Sequence, residues 1–70
     1  ASLSALGLTP REAEILFWVA QGKANAEVAT ILGTAPNTVK KHLQNIMPKL
    51  GVETRLAAAL RANEILSARP

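Results

Sequence analysis

Lys40, Lys41 and Gln44, with Asn37 one turn before them, are the residues whose types and spacing could do chemistry. They lie in the stretch Pro36 to Leu50, PNTVKKHLQNIMPKL, whose apolar members Val39, Leu43, Ile46 and Leu50 recur at i, i+4, i+7 and i+11. That spacing makes one stripe of a helix, and the stripe must be buried. At about 100° per residue, Asn37, Lys40, Lys41, Gln44 and Pro48 then point away from it. The outward face is basic and amide-rich, and no Asp or Glu occurs between Glu27 and Glu53. Such a face suits the major groove of DNA, where lysines meet phosphates or guanine acceptors and Gln or Asn pairs with base edges. Exposed Lys and Gln are equally ordinary on a solvated helix, so this stretch alone leaves both readings open.

The rest of the chain narrows the choice. Seventy residues allow one small domain. There is no cysteine, so neither a disulfide framework nor a thiolate metal site is available, and the single His42 cannot hold zinc alone. No metal and no cofactor are expected. The net charge of +3 favours an anionic partner only weakly, but Lys23, Lys40, Lys41 and Lys49 concentrate in the acid-poor middle. No apolar run approaches the ~20 residues that span a bilayer, and no signal peptide opens the chain, so no membrane is expected. Residues 1–7, small and uncharged at their start, read as a linker remnant, residues 8–67 as the domain, and residues 68–70 as a frayed tail.

Four helices must position the basic face. The first is expected over 10–21: Thr9 caps it, Pro10 fits its first position and Glu12 completes a Thr-x-x-Glu capping box. Ala13, Leu16, Phe17 and Ala20 make its apolar face, widened by Ile15 and Val19. Phe17 and Trp18, the only aromatics, fit the core or its rim better than a base-stacking platform. The second helix is expected over 26–32, with Asn25 as cap, Val28, Ile31 and Leu32 buried, and Gly33 at its end. The third starts at Pro36 without a side-chain cap, since Ala35 has no oxygen. Pro48 predicts a kink or an end near Met47, so this helix closes at 47 or at 50. The fourth, capped by Thr54, runs over 55–66. Leu56, Ala59, Leu60, Asn63 and Leu66 are expected to face the core. Ala58, Ala62 and Ile65 form a second stripe, either a contact for a partner helix or merely good helix formers in water. With no strand alternation, the fold class is all-α, and the second and third helices, linked by three residues, read as a helix-turn-helix.

LTPREAEIL (8–16), QGKANAEVATILG (21–33), PNTVKKHLQNIMPKLGV (36–52) and TRLAAALRA (54–62) in this order resemble the DNA-binding domain of LuxR/GerE-type transcription regulators. That family includes the response regulators of the NarL/FixJ kind. The resemblance implies a four-helix domain with the helix-turn-helix motif at about 25–44, the third helix in the major groove and the fourth contributing to dimerisation through Ala58, Ala62 and Ile65. It implies base reading by Lys40, Lys41 and Gln44. It places Lys23, Asn25, Asn37, Thr38 and His42 near the phosphate backbone, with Thr54 and Arg55 adding a contact from the fourth helix. His42 falls beside the buried stripe, so half-buried packing is an equal reading for it. Three departures stand out: Ala35 where Ser is common, Pro48 where a basic or polar residue is common, and Thr34 where an aliphatic residue is usual.

The partners so implied are double-stranded DNA and a second copy of the chain on DNA, with RNA polymerase a further candidate, in the cytoplasm. An enzyme fails on inventory: one His, scattered carboxylates and no glycine-rich phosphate loop assemble no nucleophile, base and oxyanion hole. A helical protein-interaction module using the apolar face of the fourth helix is the better rival, but it leaves the shared face of Asn37, Lys40, Lys41 and Gln44 unexplained.

Overall fold

The stripe of Val39, Leu43 and Ile46 is buried, and the other elements close around it. In a computed structural model, which describes residues 3–67, a short 3-10 turn (Leu3–Leu6) leads into α1 (Pro10–Ala20), α2 (Asn25–Leu32), α3 (Pro36–Leu50) and α4 (Arg55–Ser67). The described residues hold no strand, and none of their helices is long and apolar enough to cross a membrane. Ala1, Ser2 and the tail at 68–70, expected to fray, lie outside the described residues.

The helix ends follow local chemistry, with one departure from expectation, at the start of α2. At α1 the Thr9 hydroxyl accepts from the Glu12 N–H at 3.1 Å, and Glu12 Oε1 accepts from the Thr9 N–H at 2.9 Å, so the capping box forms in full. At α2 the cap is Ala24 and not Asn25. Glu27, three residues on, accepts from the Ala24 N–H at 2.9 Å, which moves the cap one residue earlier and leaves the Asn25 side chain for another partner. Gly33 ends α2 in the left-handed conformation, φ 69°, and residues 33–35 turn the chain into α3. There Ala35 caps without a side-chain bond, as expected.

Pro48 does not end α3, which continues to Leu50, the later of the two ends expected. It is exposed, so the Gln44 carbonyl that it leaves without a donor faces water. The last turn is also closed from below. Gly51, left-handed at φ 69°, and Val52 donate their N–H groups to the Pro48 and Met47 carbonyls, each at 3.1 Å. At α4 the Thr54 hydroxyl accepts from the Ala57 N–H at 3.0 Å, the cap the sequence led us to expect.

The core draws on every element: Leu3 and Leu8, Ile15, Leu16 and Val19, Val28 and Ala29, the α3 stripe, and Ala58 and Ala62. Three expectations need correction. The opening is not a loose linker where it is described, because Leu3 is buried and its turn rests on α1 and α4. Ile31, expected in the buried stripe of α2, is 45% exposed, and Ala29 takes the inner position. The faces of α4 are reversed. Ala58 and Ala62 are fully buried against the domain itself, whereas Leu56 is 69% and Leu60 56% exposed. The two stripes lie on roughly opposite sides of the helix. Methyl side chains let α4 settle closely on α1, its main neighbour, and this geometry leaves the bulkier leucines outside. Ala58 and Ala62 are therefore not available to a partner helix, and Ile65 is only half exposed at the edge of the same inner face.

One polar contact ties α3 to α1. The Glu12 side chain is almost fully buried and accepts from Lys49 Nζ at 2.7 Å, on the same Oε1 that takes the Thr9 N–H. The Lys49 ammonium, and after it the Thr9 N–H, hold the Glu12 carboxyl below its ordinary value of 4.5, against the opposing effect of burial. Lys49 lies about 90° from the centre of the buried stripe, on the flank opposite Lys40, and its bond to Glu12 commits it to the fold.

Two measurements check this packing. Ala62→Leu overfills the α1–α4 contact and lowers urea stability by about 1–3 kcal/mol, whereas Leu60→Ala changes it by no more than about 0.5 kcal/mol. Lys49→Met lowers stability at pH 7 by about 1–2 kcal/mol, the modest figure reflecting the partial exposure of the lysine. A carboxyl held low in the folded state adds stability above its unfolded value and loses it as pH falls through the folded one. Acid unfolding curves of wild type and Lys49→Met therefore converge as the pH drops below about 4.5.

Candidate nucleic-acid interface

With Val39, Leu43 and Ile46 turned inward, α3 presents Asn37, Thr38, Lys40, Lys41 and Gln44 to solvent, all exposed. The helix carries no carboxylate, and among the described residues neither Lys40 nor Lys41 is held in an ion pair. Two free ammonium groups one residue apart can meet phosphates or guanine N7 and O6. The Gln44 amide, one turn on from Lys40, can donate and accept together at an adenine edge. His42 is half-buried on the flank of the stripe, out of line with this face. Its position fits packing or contact from the groove's edge, not base reading.

The other residues singled out from sequence gather elsewhere. Lys23 and Asn25 stand at the entry to α2, and Thr54 and Arg55 at the start of α4. Arg55 joins them. Its Nη1 donates to Asn25 Oδ1 at 2.5 Å and its Nη2 to the Lys23 carbonyl at 2.6 Å. Thr54 is occupied in capping, although its hydroxyl keeps a hydrogen to donate. The candidate site thus has two parts, the exposed outward face of α3 and a cluster where α4 meets the entry to α2, in which Thr54 and Arg55 are exposed and Lys23 and Asn25 half-buried.

Sequence reasoning missed two ties that act on these parts. The capping role of Glu12 was legible, but its ion pair with Lys49, 37 residues away, was not. The helical angle of Lys49 gave no hint, since that lysine lies as far from the centre of the stripe as Lys40 does, on the other flank. The bond of Arg55 to Asn25 and Lys23 spans 30 and 32 residues and left no local signal.

Nothing in the described residues suggests catalysis. An open groove along α2, lined by Lys23, Ala26, Glu27, Thr30 and Ile31, brings together no nucleophile and base; its Thr30 hydroxyl donates back to the Ala26 carbonyl at 3.0 Å. No group of His, Cys, Asp and Glu among the described residues could hold a metal ion.

Comparison with known proteins gives the same direction. The family model described as bacterial regulatory proteins, luxR family, matches residues 6–62. The transcriptional activator protein AnoR of Acinetobacter nosocomialis is 51% identical over 57 residues, which cover 81% of this chain and 24% of that protein. The transcriptional activator protein VanR of Vibrio anguillarum is 46% identical over 55 residues, 79% of this chain and 23% of its own length. The nitrate/nitrite response regulator protein NarP of Escherichia coli (strain K12) is 42% identical over 53 residues, 76% of this chain and 25% of its own. The chain spans about a quarter of the length of these relatives.

Proposed function

The chain belongs to the luxR family of bacterial regulatory proteins, a helix-turn-helix family of DNA-binding transcription regulators and not of enzymes, and from this premise we propose that it is the part of such a regulator that reads double-stranded DNA, with α3 in the major groove. The observation that carries the reading is the acid-free, unpaired face of Asn37, Lys40, Lys41 and Gln44 on a helix whose opposite side is locked into the core. Lys40, Lys41 and Gln44 select bases. Asn37 and Thr38, with the cluster of Lys23, Asn25, Thr54 and Arg55, meet phosphates and set the register, and His42 touches the backbone from the edge of the groove.

Two copies bind two half-sites about a two-fold axis. The α4 face that serves this contact is the one the fold leaves free, Leu56 and Leu60, in place of the buried alanines. The same leucines are what favour the rival reading, a protein-interaction module, and salt separates the two. Phosphate contacts release counterions and make affinity fall steeply with salt, whereas an apolar groove does not. RNA polymerase and a compartment in the cytoplasm belong to this reading only as the working place of a bacterial transcription regulator.

Selection from a random duplex pool at two salt concentrations tests it. The wild type enriches a two-fold-symmetric site. Lys40→Ala/Gln44→Ala loses that enrichment, at about 1–3 kcal/mol for each base contact removed, while its helical circular dichroism stays unchanged. Equal enrichment by the double variant refutes base reading by α3, and the absence of duplex binding at low salt refutes the proposal as a whole. On the enriched duplex, Leu56→Glu/Leu60→Glu abolishes cooperative occupation of the two half-sites and leaves binding to a single half-site intact.

A further inference from the structure

Arg55 sits at the first position of α4, yet its guanidinium is turned toward a different part of the chain. It donates from Nη1 to Asn25 Oδ1 at 2.5 Å and from Nη2 to the Lys23 carbonyl at 2.6 Å. Among the described residues no other hydrogen bond joins α4 to the entry of α2. That entry needs help, because its cap residue, Ala24, has no side-chain oxygen to fix the first turn. We propose that Arg55 is a positioning residue of the DNA interface: it holds Lys23 and Asn25 in the arrangement in which they meet the phosphate backbone.

The chemistry of the three groups supports this. With Oδ1 committed to Arg55, the orientation of the Asn25 amide is fixed, and its NH2 group, on the other side of the amide, keeps two N–H donors. With its carbonyl held, the Lys23 backbone is fixed at the base of a flexible, cationic side chain, so less freedom is lost when the ammonium meets a phosphate. The guanidinium has more donors than the two it uses here, so it keeps its own capacity for an anion while it holds the other two residues. A lysine at position 55 would carry the same charge but, as a single ammonium on a flexible stem, could not span both acceptors in a fixed fork. Arg55 thus acts through Asn25 and Lys23 as well as through its charge.

This inference rests on the reading of the chain as a DNA binder, and the test keeps the two apart. Wild type, Arg55→Lys, Asn25→Ala and Arg55→Lys/Asn25→Ala are titrated with a random-sequence duplex over a range of salt. Amide hydrogen exchange at residues 23–27 is measured on each protein without DNA. Positioning by Arg55 gives faster exchange at 23–27 in Arg55→Lys and affinity about tenfold weaker, with an unchanged salt slope because the charge is kept. Asn25→Ala then costs much less in the Arg55→Lys background than in the wild type, since the two residues act as one unit. Exchange and affinity in Arg55→Lys equal to wild type, or strictly additive losses in the double variant, overturn the proposal while DNA binding stands. A wild type that binds no duplex overturns the DNA reading and this inference together.

Discussion

The buried carboxylate of Glu12 is the constraint on which the placement of the other parts depends. It closes the first turn of α1 by accepting the Thr9 N–H, and it draws in Lys49 from the last turn of α3. A carboxylate this far from water is tolerated only when paired and hydrogen-bonded, and here both conditions are met at one oxygen. The consequence is geometric. Apolar packing within the core cluster allows a helix some rotation and sliding, whereas a 2.7 Å ion pair fixes one point of α3 against one point of α1. With its last turn pinned and its stripe buried, α3 has a single way to face outward, and that direction carries Asn37, Lys40, Lys41 and Gln44.

Charge is divided in a way that follows from this. Of the lysines in the middle of the chain, Lys49 is spent on the fold, while Lys40 and Lys41 stay free of ion pairs among the described residues. Acidic groups sit where they stabilise helix starts, Glu12 in α1 and Glu27 in α2, away from the outward side of α3. The small residues of α4 serve a related purpose. Ala58 and Ala62 bring that helix close to α1 and thereby leave Leu56 and Leu60 as the apolar surface to be covered, which the proposed two-fold contact would do.

Much of this was legible in the sequence, for identifiable reasons. The 3.6-residue period of α3 fixed its buried and exposed sides, and Thr9, Pro10, Gly33, Gly51 and Thr54 marked helix ends by local backbone chemistry that needs no tertiary partner. What was misread depended on competition or distance. Helix 4 has two apolar stripes, and side-chain size favoured the leucines for the core, whereas the close approach of two backbones selected the alanines. Pro48 left two ends open for α3, at 47 or at 50; the helical hydrogen bond it removes costs one solvent-facing carbonyl its donor, and the helix goes on to Leu50. The cap of α2 moved because Glu27 could answer Ala24. In the candidate site, the α3 residues were read correctly as exposed, since their placement depends on one helix alone. The ties of Glu12 to Lys49 and of Arg55 to Asn25 link residues 30 or more apart and could be seen only after folding.

The central claim is that the exposed face of α3, and no other surface, lies in the major groove. Intermolecular nuclear Overhauser effects between the protein and a bound duplex test it most directly. The expected result is contacts from the side chains of Lys40, Lys41 and Gln44 to cytosine H5 and thymine methyl protons, which lie in the major groove. Contacts to bases only from Leu56 and Leu60, or only to minor-groove protons, would contradict it.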